Sequence, residues 1–206
     1  RNKGTIIVQI FLLFLSIVTN LNADDRQMVE RAAELYQNGR YRTAYEIVTR
    51  QIARYSSIEK NPYAATALFL KAKSCYHLNN QEEMTDAIRT YVTHFPDGRY
   101  ISHIRLLQTH YLFSEKQYMQ AFTAASSPEC ITTASKAADE CREFARLISR
   151  HWLTLSDLES ITRFSESNLQ HLFLKLLEAE KNIQNGHYDR GRRLLKTLRS
   201  SMTHRH

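Results

Sequence analysis

The sequence predicts an all-α fold, a superhelical array of antiparallel helical hairpins. Five Gly and three Pro in 206 residues are too few turn formers for a β-sandwich or barrel, yet enough for long helices with short connections. Apolar residues recur at helical spacing, and no stretch alternates as a half-buried strand does. One frame also repeats. Gly39, Tyr41 and Ala44 return late in the chain as Gly186, Tyr188 and Gly191. In this frame a Gly ends one helix, a Tyr packs back over the turn, and a small residue lets the next helix approach closely.

Residues 1–23 read as a signal peptide. Arg1 and Lys3 lead, Ile6 to Val18 is apolar, and Ala23 precedes a polar Asp24-Asp25 start. The apolar run is shorter than the ~20 residues of a spanning helix, with an uncleaved anchor as the alternative. No Cys stands at the cleavage point, so lipid attachment there is not expected. Residues 24–126 follow as repeats. Val29, Ala32, Ala33, Leu35 and Tyr36 form one helical face, and Ala44, Ile47, Val48 and Ile52 the next. Asn61-Pro62 is expected to cap and open a third helix carrying Leu68, Phe69, Ala72 and Cys75. Asn79-Asn80 turns into a partner helix with Met84, Ala87, Ile88 and Tyr91, which ends at Pro96. Asp97 is expected to cap the next helix, with Ile101, Ile104, Leu107 and Leu112, and its partner begins near Tyr118. Residues 127–168 read as a helical connector. One helix is expected from Pro128 to about His151, and a shorter one starts at Ser156, which has Glu159 at capping-box spacing. Residues 169–206 form a last hairpin, turning at Gly186, with a basic C-terminal helix.

These hairpins resemble tetratricopeptide repeats. Ala32, Leu35, Gly39, Tyr41, Ala44 and Val48 fall at the family's signature spacing. So do Leu68, Ala72, Cys75, Met84, Ile88 and Pro96, then more weakly Leu112, Tyr118 and Ala121, and finally Ala179, Gly186, Tyr188, Gly191 and Leu195. Ala44 to Met84 is 40 residues and Met84 to Ala121 is 37, against the usual ~34, so an irregular superhelix is expected. The Phe95-Pro96-Asp97 joint is similar to that of exported bacterial members, such as outer-membrane assembly and cell-division coordinator proteins. The resemblance implies a non-enzymatic scaffold of the periplasm or cell envelope. It binds a protein partner or peptide in a concave face lined by the first helix of each unit. The family's groove positions project onto Tyr36, Gln37, Phe69, Lys73, Tyr76, His77, His103, Leu106 and His110. Aromatics with one Lys and several His suit an acidic or aromatic-bearing peptide. The basic clamp that grips a C-terminal carboxylate in chaperone-binding relatives is not reproduced. An alternative resemblance is to the N-terminal helical segment of a larger envelope receptor of periplasmic binding-protein type, or of an enzyme.

The remaining chemistry points away from catalysis. There is no Gly-rich phosphate loop, no zinc-type Cys spacing and no nucleophile elbow. His103 and His110 share a helical face two turns apart, too far for one ion without a third element. No catalytic residue, metal or cofactor is predicted. Cys130 and Cys141 lie eleven residues apart, ~16 Å along one straight helix, beyond disulfide reach. Either the helix starts later than Pro128 or both thiols are free, and Cys75 reads as core. A net charge of +7 admits acidic partners or an anionic membrane surface. Arg192, Lys196 and Arg199 share one face of the last helix. That face suits solvent or anionic lipid, while export argues against nucleic acid.

Overall fold

The computed structural model describes residues 23–203, and among them the chain is all-α with no strand. The leader expected over 1–23 therefore lies outside the described residues except for Ala23, as do His204 and His206.

Four turns of one kind join pairs of helices. Gly39, Asn79, Lys116 and Gly186 each take a positive φ, at 74°, 54°, 61° and 81°. After each of them the next amide bonds back to the carbonyl five residues before it: Arg40 N to Leu35 O, Asn80 N to Cys75 O, Gln117 N to Leu112 O, and His187 N to Asn182 O, at 2.8–2.9 Å. This is the Schellman closure, which satisfies carbonyls that a helix end leaves unpaired. Each turn then opens a helix, and the fifth residue after the left-handed one is buried: Ala44, Met84, Ala121 and Gly191. A Cβ at Gly191 would sit 2.5 Å from Ile183 Cγ1 and 3.1 Å from Ala179 O, so only Gly fits that crossing.

The chain divides between Phe95 and Pro96. The first unit contains α1 (23–37), α2 (Tyr41–Ala53), a 3₁₀ turn (Ile58–Lys60), α3 (Ala64–His77) and α4 (Gln81–His94). Helix α2 packs on α3 and α3 on α4. Val29 and Ala32 of α1 meet Val48 of α2 and Ala67 and Leu70 of α3 in one core. The expected cap at Asn61-Pro62 is corrected. Pro62 lies in a turn and α3 begins at Ala64. Asn61 is buried, and it exchanges two 3.0 Å amide hydrogen bonds with buried Gln51 while accepting from Tyr63 N at 2.9 Å. A buried amide needs its partners, and Gln51 supplies them across the α2–α3 joint. Asp25, in the polar start expected after Ala23, is buried. It is 2% exposed, accepts from Arg54 Nη1 at 3.0 Å and from the Tyr55 hydroxyl, and so ties α1 to the end of α2.

The second unit contains α5 (Ile101–Ser114), α6 (Tyr118–Ala125), α7 (Pro128–Thr132), α8 (Lys136–His151), α9 (Leu155–Arg163), α10 (Asn168–Gln184) and α11 (Tyr188–Thr203). Its core draws Phe122 of α6, Ile148 of α8, Leu158 of α9 and Leu174 and Leu177 of α10 into one cluster. Three expectations are corrected here. Asp97 does not cap α5, whose N-cap is Tyr100 without a side-chain bond. The single helix expected from Pro128 to His151 is two helices. Thr133 is extended, and Ser135 caps α8 by accepting from Ala138 N at 3.2 Å. The capping box belongs to Thr154 and Asp157 rather than Ser156 and Glu159. Thr154 accepts from Asp157 N at 3.2 Å, and Asp157 accepts from Thr154 N at 2.8 Å. That register places buried Leu153 before the cap and buried Leu158 one turn in, a hydrophobic staple. A cap at Ser156 would put polar Ser160 in the staple position.

Candidate functional site

The C-terminal ends of α1 and α3 carry a cluster of aromatic rings around one ammonium group. The turn at Gly39 folds Tyr41, the first residue of α2, back toward Tyr36, with ring centroids 5.2 Å apart. Phe69, Lys73 and His77 follow one another at four-residue spacing, and so share a face of α3. The His77 ring stacks on Tyr41 at 4.1 Å and 9°, and its Nε2 shares a 2.9 Å hydrogen bond with the Tyr36 hydroxyl. Tyr76 meets His77 edge-on at 5.6 Å and stays exposed. Lys73 Nζ lies 4.5 Å from the Tyr36 ring centroid and 5.3 Å from that of Phe69.

The electrostatics of this corner are unbalanced. Burial lowers the Lys73 pKa below the ordinary lysine value, because removing water disfavours the charged form. Among the described residues no carboxylate forms an ion pair with Lys73. Two residues earlier, Lys71 pairs with Glu83 at 2.5 Å. Burial first, then Tyr41, pushes the Tyr36 phenol up to about 12, so it is a neutral hydrogen-bonding group at ordinary pH. The corner thus offers a half-desolvated cation walled by π-faces, a neutral phenol and an imidazole. Such a combination has the polar and apolar groups that an anion with attached apolar surface would need.

Of the residues projected onto a groove, Tyr36, Phe69, Lys73, Tyr76 and His77 assemble here. Gln37 is exposed at the end of α1. His103, Leu106 and His110 belong to α5 in the second unit. His103 is exposed with Tyr100 edge-on at 6.4 Å, and Leu106 is half-buried. His110 lies edge-on to Phe144 at 4.8 Å. It lines a pocket of about 520 Å³ together with Glu143, Phe144, Arg146, Leu147 and Arg150. Phe113 bridges Phe144 and Trp152 at 5.3 and 5.0 Å, and Trp152 stacks on Tyr118 at 5.3 Å. No local pattern marks Phe144 as a neighbour of His110, since α8 meets α5 only through the tertiary fold. Tyr41 was within reach, because its offset from Gly39 places it over the turn.

Arg192, Lys196 and Arg199 are exposed on α11, and neighbouring Arg190 pairs with Glu159 of α9. Among the described residues no group of three or more His, Cys, Asp or Glu is placed to hold a metal ion, and no helix is long and apolar enough to cross a membrane. Comparison with family models, curated proteins and solved structures finds no match for this chain.

Proposed function

We propose that this chain is a non-enzymatic helical-repeat scaffold of tetratricopeptide type, exported to the cell envelope, that binds a protein partner or peptide segment. Lys73 is the anchor. It takes an acidic side chain of the partner, while Tyr36, Phe69, Tyr76 and His77 cover the apolar part of the same residue or its neighbour. The observation that carries this reading is the half-buried Lys73 ammonium held between two aromatic rings, with no carboxylate paired to it among the described residues. An incoming carboxylate supplies the missing charge in a partly desolvated site, where such pairs are stronger than in open water. The repeat reading is supported by the four left-handed turns, each five residues ahead of a buried crossing residue.

The test is selection of binders from a random peptide display library on the full chain, followed by calorimetric titration of a selected peptide. The reading expects enrichment of Asp or Glu beside an aromatic residue. Lys73→Met, which keeps the stem and removes the charge, should weaken binding by about tenfold, ~1.4 kcal/mol, with helicity retained and a cooperative melt. Equal affinity of a folded Lys73→Met protein would dismiss the anchor.

A further inference from the structure

The break at 133–135 folds the chain so that Cys130 of α7 meets Cys141 of α8. Both are fully buried where α7 packs on α8, close enough that each thiol perturbs the other, Cys130 downward and Cys141 upward. Their other partners are weak: Cys130 Sγ donates to Ala124 O at 3.9 Å and Cys141 Sγ to Ser102 O at 3.7 Å. The backbone around them is held firmly. Arg142 Nη1 donates to Cys130 O at 2.5 Å and to Thr133 O at 3.3 Å. The guanidinium adjacent in sequence to one cysteine therefore grips the carbonyl of the other, and Ser135 caps the helix between them.

A pair of neighbouring free thiols contributes little, since S–H is a weak donor and sulfur a weak acceptor. Joined covalently, the same atoms would close the loop from 130 to 141 and restrict the unfolded chain. We propose that Cys130 and Cys141 form an intramolecular disulfide that fastens α7 to α8 when the protein folds in the presence of a disulfide oxidant. One cysteine thiolate attacks a sulfur of the oxidant, a small-molecule or protein disulfide, and expels one thiolate. The second cysteine thiolate attacks the protein sulfur of that mixed disulfide and expels the other. The two cysteines lose two protons and two electrons, and the oxidant ends as two thiols. Both sulfurs are closed off in the finished fold, so the exchange takes place before α7 packs. Cys75 lies in the first unit, and burial pushes its thiol up to about 11. It stays reduced. The disulfide is independent of the Lys73 site.

The experiment refolds the reduced, denatured full chain in glutathione buffers from reducing to oxidising. Free thiols are then alkylated, and the peptides are mapped by mass spectrometry. The expected product under oxidising buffer is a Cys130–Cys141 cross-linked peptide lighter by two hydrogens, with Cys75 alkylated. The oxidised chain should keep its helical circular dichroism and melt higher than the reduced chain by about 5–10 °C. Cys75→Ala should behave identically, whereas Cys141→Ser should abolish the redox dependence of the midpoint. Absence of the cross-linked peptide in both the natural chain and Cys75→Ala would overturn the proposal. So would a cross-linked chain that has lost its helical signal.

Discussion

Lys73 gives up water to two aromatic faces and gains no carboxylate partner among the described residues. Cation–π contact returns about 0.5–2 kcal/mol, which keeps the ammonium in place without neutralising it. Because its pKa is lowered in the folded protein, protonated Lys73 costs stability below that pKa, and the cost is relieved as pH rises through it. A bound carboxylate reverses the sign. Tyr36 and Tyr55 titrate in the opposite sense. Burial first, then Tyr41, raises Tyr36 to about 12, and burial, then the hydrogen bond to Asp25, raises Tyr55 to about 12, both from 10.0. A raised phenol pKa means the associated stability is complete below pH ~10 and is lost as pH climbs toward ~12. Spectrophotometric titration should show a late tyrosine component near the upper value, reduced in Tyr36→Phe. A single early transition for all tyrosines would contradict the burial of these two. At this scale the sequence was informative where neighbours are local. The four-residue spacing of Phe69, Lys73 and His77 put them on one face, and Gly39 returned Tyr41 to Tyr36. The partnership of Asn61 with Gln51 was hidden, because nothing in a sequence announces which buried amide will find another.

Helix ends decide the elements. Gly39 and Gly186 were legible because a left-handed position favours Gly, and Asn79 tolerates it. Lys116 takes φ 61° with a side chain ill suited to it, so that turn carried no signal of its own beyond Tyr118 and Ala121 after it. Replacing Lys116 by Gly should stabilise the protein by about 0.5–1 kcal/mol, since the left-handed penalty of ~1–2 kcal/mol exceeds the added freedom of the unfolded chain. Denaturant titration reads it, and a loss of stability would deny the strained turn. Gly191→Ala tests the close crossing of α10 and α11. Ala ordinarily favours a helix over Gly by about 0.8–1 kcal/mol. Here its Cβ meets Ile183 and the Ala179 carbonyl, and the change should destabilise by about 1–3 kcal/mol. The break before α8 and the start of α9 were misread for related reasons. A Ser/Thr cap competes with helix continuation at Ser135. Two overlapping capping-box matches were separated only by which register buries Leu153 and Leu158.

For the whole molecule, helical class followed directly from composition and period, whereas the division at Phe95 and Pro96 did not. Each unit gathers its core from residues far apart in sequence, as when Phe122 meets Leu174. A local pattern does not reveal that pairing. The net charge of +7 bears on association with an acidic partner. The on-rate should fall steeply with added salt, by about tenfold from low to physiological ionic strength, while Lys73→Met acts mainly on the off-rate. Stopped-flow measurements of a selected acidic peptide separate the two, and a salt-independent on-rate would argue against charge steering. The most direct measurement of the central claim is the amide spectrum of the isotope-labelled full chain titrated with that peptide. Binding at the Lys73 corner predicts shifts centred on 35–41 and 69–77, lost in Lys73→Met. Shifts confined to the pocket lined by His110, Phe144 and Arg146, and unchanged in that variant, would contradict it.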